Sequence, residues 1–416
     1  MRARQASTVA HISVLHGLIH TVEFSYAALL SRIDDEFSAG LLVLGIVANA
    51  FAFTFGFSAL PSGILVDRLG TQRVLTIAFG LAAIAALLVA TSTNTVLLGI
   101  FLGLLGLSIG LYHPAGISFI AQATSKRGLA LGWHGLAGNL GIAAAPLITI
   151  GMAEAFGWRW AYVLLALLCL LAAASLRFIT ISHDSARTTQ EPQAPPPNTA
   201  NSASRRSRFR TVLPLLLVYG VFVLNGFVYR GSLTFLPLHI EETLHISWFG
   251  LDEVWLASSL TTLALLAGAV GQLFGGAMSE RFRLERMAVP FTLALLPTLL
   301  LVGLTSGLWV VLFASLFVFA NFSSQPIYAG LIADYSPPQA LGRSYGVSFF
   351  AAFGIGSVAA SFSGFFADRW GTDSVFLVLS AFVVLTLILA TGIWYLSEQN
   401  LRGEAKDGET VAGSGG

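Results

Sequence analysis

Residues 63–73 read G-I-L-V-D-R-L-G-T-Q-R and place a short charged turn between two long apolar stretches. The stretch before it, 40–64, and the stretch after it, 73–92, are each long enough to cross a hydrocarbon core of about 30 Å as an α-helix. Charged side chains such as Asp67 and Arg68 are costly to bury in lipid. The segment therefore predicts two membrane-spanning helices joined by a tight charged turn at the membrane surface.

The whole chain has the composition of a membrane protein. Of its 416 residues, 55% are hydrophobic and 10% are charged, whereas soluble domains carry about 25% charged residues. The apolar runs repeat along the chain and are continuous rather than alternating, which favours helices over a β-barrel. We predict an all-α membrane protein with twelve transmembrane helices in two pseudo-symmetric six-helix bundles.

Composition and motifs also narrow the classes of function. The net charge of +1 does not indicate a nucleic-acid partner, and the single cysteine, Cys169, excludes an intrachain disulfide and a cysteine-based zinc site. The sequence contains no H-E-x-x-H motif and no G-x-x-x-x-G-K-[ST] nucleotide-binding loop. We therefore expect no enzyme activity, no cofactor and no resident metal. The expected partners are a small-molecule substrate and the lipid bilayer, and the chain is expected to be monomeric.

The chain divides into two similar halves. Four positions of the charged turn, Gly63, Asp67, Arg68 and Arg73, have counterparts in the second half at Gly276, Glu280, Arg281 and Arg286. Between the halves, residues 182–210 are rich in Pro, Ser, Thr and Arg and cannot form a packed core. We predict four segments: an N-terminal bundle over 1–181, a cytoplasmic linker over 182–210, a C-terminal bundle over 211–396 and a disordered cytoplasmic tail over 397–416.

Basic residues are distributed unevenly between the predicted loops. Of the 22 lysines and arginines, all but four fall on one side of the membrane; the exceptions are Arg32, Arg159, Arg230 and Arg369. Under the positive-inside rule, the basic side is cytoplasmic. We therefore predict a multi-pass protein of the plasma membrane, the inner membrane of a bacterium, with both termini in the cytoplasm.

The turn at residues 63–73 resembles the G-x-x-x-D-R-x-G-x-x-R signature of the major facilitator superfamily. The predicted spans, halves and linker extend this resemblance over essentially the whole chain. The resemblance implies a secondary active transporter whose halves rock about a site near the bilayer midplane, so that the site opens alternately to either side.

The same resemblance implies a gate at the cytoplasmic ends of the helices. Asp67 is expected at the start of the eleventh span, which carries Arg343, when the cytoplasmic side is closed. Arg73 is expected to face Gln122, which is uncharged. In the second half, Asp334 occupies the position equivalent to Gln122 and is expected to face Arg286. The predicted gating residues are Gly63, Asp67, Arg68, Gly70, Arg73, Glu280, Arg281, Arg286, Asp334 and Arg343.

The fourth and fifth spans carry a narrower resemblance. The segments Leu111–Pro114, Arg127–Ala130 and Gly138–Gly141 are similar to the fosmidomycin-resistance branch of drug exporters. This favours an antiporter for drug resistance, which exports a drug-like or phosphonate-like compound in exchange for protons. Two alternatives stay open: proton-coupled uptake of an organic anion, and transport of a divalent metal.

Ionisable residues inside the predicted spans are candidates for the transport site, because a charge in lipid is costly unless it faces a partner or a cavity. His16, His20 and Glu23 stand at i, i+4 and i+7 and therefore share one face of the first helix. Buried carboxylates and imidazoles can exchange protons, so we predict that these three residues couple transport to protons. The metal alternative rests on the same three groups.

Arg230 is the only basic residue inside a predicted span. Alignment of the first and seventh spans places it opposite Glu23 across the pseudo-twofold axis. It is expected to pair either with Glu23 or with an anionic substrate. The other residues predicted to bind substrate are His113, His134, Asn139, Asn225 and Tyr229.

Overall fold

The computed structural model of the chain describes residues 3–124, 127–178, 205–244, 253–337 and 341–413. Most of the predicted linker lies outside these residues. The described parts consist of helices and short connections and contain no strand. The helices, in chain order, are α1 (Ala3–Ala28), α2 (Leu30–Phe37), α3 (Leu41–Leu69), α4 (Thr71–Ala90), α5 (Thr95–Gly110), α6 (Tyr112–Ala123), α7 (Arg127–Phe156), α8 (Trp158–Ser175), α9 (Arg205–Leu244), α10 (Glu253–Arg281), α11 (Leu284–Leu304), α12 (Leu308–Tyr335), α13 (Leu341–Phe349), α14 (Ala359–Trp370) and α15 (Asp373–Gly413).

Eleven spans among the described residues are long and apolar enough to cross a membrane. Helices α5 and α6 form one of them, Thr95–Ile120, and α13 and α14 form another, Arg343–Trp370. The latter is interrupted by a π-helical turn over Phe350–Gly354. The twelfth spanning helix is α1, which has 26 residues and is made less apolar by its histidines and Glu23. The prediction of an all-α membrane protein is confirmed.

The two halves pack their helices in the same way. In the first half α3 lies against α5 and α4 against α8; in the second half α10 lies against α12 and α11 against α15. The first spanning helix of each half packs on the fifth, so that α1 lies against α7 and α9 lies against the segment from α13 to α14. These equivalent pairs form the two pseudo-symmetric bundles that were predicted.

The bundles meet where α7 packs on α10 and α3 packs on α14. Glycine allows the backbones of α3 and α14 to touch. A Cβ atom on Gly45 would overlap the carbonyl oxygen of Ala360, and one on Gly364 would overlap the carbonyl oxygen of Leu41. Small residues at such crossings are typical of membrane helices, because close backbone approach supplies much of their attraction.

Helix α15 continues through Gly413 and so includes most of the segment that begins at Ser397, whose disorder stays a prediction. Its first residue is tied to α11 and the turn before it. Arg283 Nη2 donates to Ser397 Oγ at 2.7 Å, and Ser397 Oγ donates to Glu285 Oε1 at 3.0 Å. The composition of the tail did not reveal these partners, because they lie on a distant part of the chain.

Candidate functional site

Glu23 and Arg230 form a buried ion pair between α1 and α9. Arg230 Nη2 donates to Glu23 Oε1 at 2.6 Å, and the exposed fractions of the two side chains are 6% for Arg230 and 0% for Glu23. The predicted pairing of these residues across the two halves is therefore confirmed. Each ion offsets the cost of burying the other, because an unpaired charge at this position would lose its hydration without compensation.

A chain of hydrogen bonds runs from this ion pair along α1. His20 Nδ1 lies 2.7 Å from Glu23 Oε2, and His20 Nε2 lies 3.1 Å from His16 Nε2. His16 Nδ1 in turn donates to the backbone oxygen of His134 at 2.7 Å. Gly138 makes room for the two imidazoles, since a Cβ atom there would lie 2.7 Å from His16 Cε1 and 2.9 Å from His20 Cδ2. His16, His20 and Glu23 share one helix face, as their spacing predicts.

His113 and His134 complete a cluster of imidazoles with His16 and His20. The ring of His134 stacks on that of His16 with 3.8 Å between their centres, and the ring of His113 lies 5.3 Å from those of both His16 and His20. Within the described residues, His113 Nε2 and both ring nitrogens of His134 are buried without a hydrogen-bond partner. The cluster therefore has polar atoms available for a ligand.

A cavity of about 300 Å³ lies in the second bundle, next to this site. The predicted residues Asn225 and Tyr229 line it, and Asn225 Oδ1 is buried without a partner in the described part of the chain. Asn139 reaches its wall from the first bundle, where its Nδ2 lies 3.4 Å from Gln272 Oε1. Side chains from both bundles can therefore reach a ligand in this cavity.

Three further amides in this cavity were missed by the sequence reasoning. They are Gln272, Asn321 and Gln325, on α10 and α12. The only signal available was an uncharged polar residue within an apolar span, and such residues also serve as packing contacts. The cavity wall therefore combines amide and hydroxyl groups with apolar side chains, and none of its lining residues is charged. Arg230 lies beside this wall, with its guanidinium carbon 6.0 Å from the ring centre of Phe353.

We call the end of the molecule that carries residues 63–73 the motif face. The two main residues of the predicted gate at this face do not pair with each other. Asp67 and Arg343 are exposed, and neither forms a hydrogen bond or ion pair with a side chain that the structure describes. Gln122, the residue expected opposite Arg73, lies outside the described side chains. The other exposed gate residues are Gly63, Arg68, Gly70, Arg73, Glu280 and Arg281.

Gly70 has a local structural role at this turn. Its φ of +82° is in the region that favours glycine, and it allows α3 to end and α4 to begin within one residue. The glycine at this position of the motif therefore allows a tight turn between the two helices.

In this conformation Arg286 pairs with Glu398, and the contact between Arg286 and Asp334 that is expected for the closed gate stays a prediction. Both Nε and Nη2 of Arg286 lie 3.0 Å from Glu398 Oε1, and Asp334 is exposed. The physical reason is the length of α15, which extends beyond the apolar span and brings Glu398 beside α11.

The opposite end of the molecule, here called the Asp368 face, is closed between the bundles. Asp368 Oδ1 accepts a hydrogen bond from the backbone N–H of Leu41 at 2.6 Å, and its Oδ2 accepts one from that of Leu42 at 2.9 Å. A carboxylate is favoured there, because the first turn of α3 has free N–H groups and the positive end of the helix dipole. Asn49 and Ser361 add two further hydrogen bonds between the bundles, at 2.6 and 3.1 Å.

The contact of Asp368 with α3 was not predicted, although the sequence contains a signal for it. Residues 368–371 read D-R-W-G, which parallels D-R-L-G at residues 67–70. Asp67 and Asp368 each lie near the end of a helix where the two bundles meet, at opposite faces of the molecule. In this conformation only Asp368 is bound to the other bundle.

We predict that Asp368→Ala weakens the closure of the Asp368 face. Loss of a capping carboxylate costs about 0.5–2 kcal/mol, and one to two kcal/mol corresponds to a factor of about 5–30 in an equilibrium. Spin labels on cysteines at the exposed positions Asp35 and Trp370, in a Cys169→Ser background, report the distance between bundles. The variant should show a larger long-distance population.

Asp373→Ala is the matched control, because Asp373 begins α15 and its neighbours there belong to the same bundle. It should leave the distance distribution unchanged. An unaltered distribution in Asp368→Ala would remove this residue from the closure.

Comparison with known proteins identifies the family of this architecture. The family model of the Major Facilitator Superfamily matches residues 12–359 and 252–413. The 4-hydroxybenzoate transporter PcaK of Pseudomonas aeruginosa is 27% identical, over 84% of this chain and 84% of that protein. A probable hexose phosphate transport protein of Chlamydia trachomatis is 24% identical, over 86% of this chain and 84% of that protein.

The fold also matches a solved structure. A bacterial homologue of the human lysosomal transporter Spinster, in an inward-facing and unoccupied conformation, superposes with a TM-score of 0.76. The alignment covers 97% of this chain and 98% of that chain at 15% identity, a likeness that shows the fold. With a family model that matches most of its length, the chain belongs to the Major Facilitator Superfamily.

Proposed function

We propose that this transporter moves a small organic anion across the membrane by alternating access, and that Arg230 binds the anionic group. The observation that carries the proposal is a buried guanidinium beside an uncharged polar cavity. Arg230 Nη2 binds the carboxylate of Glu23, while Arg230 Nε is buried without a partner among the described residues. Glu23 therefore occupies the place that a substrate carboxylate or phosphate would take.

The chemistry of the guanidinium suits this role. Its N–H donors form a planar fork that matches two oxygens of a carboxylate or phosphate, and it keeps its charge when buried. Tyr229 precedes Arg230 in the chain and lines the cavity. An anion at Arg230 would thus extend its uncharged part toward the amides of the second bundle, where neutral hydroxyl or carbonyl groups find donors and acceptors.

The names of the two relatives above are compatible with an anion, although another relative, 23% identical over 83% of this chain, is a glucose transporter, so the case for an anion rests on Arg230. Hexose phosphate and 4-hydroxybenzoate, named for the two relatives above, are both anions with a polar or aromatic remainder. They favour an organic anion over a drug-like compound as the substrate. Export of a phosphonate-like compound and the likeness to the fosmidomycin-resistance branch stay predictions, as do protons as the coupling ion, the monomeric state and the bacterial inner membrane as location.

We further propose that the motif face is cytoplasmic and that the structure represents the inward-facing state. The positive-inside rule supports this orientation. The contacts support the state, since Asp368 is bound to α3 while Asp67 and Arg343 have no described partner. During transport the Asp368 contact would break and the Asp67 contact would form, so that each aspartate stabilises one of the two states.

Uptake into liposomes that contain the purified protein tests the anion proposal. We expect 4-hydroxybenzoate or a hexose phosphate to be transported at least about tenfold faster than glucose, a neutral sugar, because a difference of 1.4 kcal/mol in binding gives a factor of ten. An imposed pH gradient, applied in either direction, tests the coupling ion and the direction separately. Equal rates for glucose and the anions would contradict the role of Arg230.

A further inference from the structure

The geometry points to a second ligand of the imidazole cluster: we propose that His16, His20 and His113 bind a divalent transition-metal ion of the zinc class. The inference goes beyond anion transport and does not rest on it. The nitrogen ligand atoms of these three residues all lie within 4.8 Å of one another. Imidazole nitrogens are preferred ligands of such ions.

The hydrogen bonds determine which nitrogens are available. His16 Nδ1 faces a backbone carbonyl oxygen, which can only accept, so this nitrogen carries the hydrogen. His20 Nδ1 faces the carboxylate of Glu23 and also donates. Only the two Nε2 atoms are then left to face each other, and they lie 3.1 Å apart. At this distance a proton or a metal ion must lie between the two nitrogens.

The third imidazole favours a metal ion over a proton as that cation. A proton joins two nitrogens, whereas His113 supplies a third, buried Nε2 that has no partner in the described part of the chain. Two nitrogens bound tetrahedrally to zinc at about 2.0–2.1 Å are roughly 3.4 Å apart, close to the observed separation of His16 and His20. The His113 nitrogen lies within 4.8 Å of the other two, so it must approach them by up to about 1.4 Å when the ion binds.

The surroundings of the ligands match those of metal sites in proteins. A metal-bound histidine usually donates its other N–H to a carboxylate or a backbone carbonyl, which fixes the ring orientation. His20 has the first kind of partner in Glu23, and His16 has the second in His134. His113 is half-buried beside Phe349 of the second bundle, so the ion would reach the site from between the bundles.

Zinc titration of the purified full chain, after removal of any affinity tag, tests this site by calorimetry. We expect one zinc ion per chain. His113→Gln should weaken binding at least about 100-fold, because changes to the partners of metal ligands alone cost 10–100-fold. His11→Gln is the matched control, since His11 is also on α1 but bonds to Ser175 outside the cluster. It should bind zinc as the unaltered protein does.

Thermal unfolding with and without zinc separates loss of the site from loss of the fold. Zinc should raise the unfolding temperature of the unaltered protein and of His11→Gln, and leave that of His113→Gln unchanged. Unchanged zinc affinity in His113→Gln, or no zinc binding by the unaltered protein, would overturn the proposal. The measurement uses no organic substrate and no gradient, so its outcome is independent of anion transport.

Discussion

Arg230→Gln is expected to lower the free energy of unfolding by about 3–5 kcal/mol, because it leaves the carboxylate of Glu23 buried without its cation. This is a large share of the 5–15 kcal/mol that stabilises a typical protein. The variant should therefore give little folded protein after purification. Size-exclusion chromatography and thermal unfolding in detergent measure both effects.

The double variant Glu23→Gln with Arg230→Gln tests the physical reason. It removes both charges and leaves two amides that can bond to each other, so most of the lost stability should return. It should nevertheless fail to transport organic anions, because the cation that binds them is gone. A single Arg230→Gln variant as stable as the double variant would show that the ion pair does not hold α1 and α9 together.

Gly364→Val is expected to slow transport by preventing the Asp368 face from closing. A Cβ atom at Gly364 would overlap the carbonyl oxygen of Leu41 and lie 3.1 Å from Leu42 Cα, both of which are backbone atoms that cannot rotate away. Overpacking of this kind costs about 1–3 kcal/mol, which shifts a conformational equilibrium by about 5–150-fold. Transport should fall by a comparable factor, because the cycle passes through the closed state.

Substitutions at two other glycines serve as controls that distinguish a block of closure from ordinary misfolding. Gly141→Val introduces the same overlap within the first bundle, against Gly17 of α1, and should reduce stability without favouring either face. Gly80→Ala is placed in open space and should change neither property. Spin-label distances across the Asp368 face, combined with thermal unfolding, distinguish the three results. Normal transport by Gly364→Val would show that α3 and α14 need not approach this closely.

Local sequence patterns were sufficient to predict the membrane spans and the position of some of the candidate site residues. A membrane helix satisfies its own backbone hydrogen bonds, so its presence depends on about 20 apolar residues and not on distant partners. The spacing of His16, His20 and Glu23 also defines a helix face without reference to the rest of the fold. The repeated turn likewise indicated two equivalent halves. The alignment of those halves predicted that Arg230 lies opposite Glu23, and the structure shows the two residues paired.

Contacts between distant helices could not be derived in this way. Glu398 binds Arg286, and the amides Gln272 and Asn321 share a cavity, yet in both cases the sequence shows only isolated polar residues. For Asp368 the sequence shows a repeat of the motif but not its partner on α3. Their partners depend on how each helix is rotated and on which face of the transporter is closed.

The sequence by itself determined the number of spanning helices, the two related halves and the polar face of α1, because lipid requires long apolar segments and makes each buried charge conspicuous. Only the tertiary structure decided that His113 joins His16 and His20, that uncharged amides line the cavity and that the Asp368 face is the closed one. Those features arise from side chains far apart in the chain, and they are set by the packing of one bundle against the other.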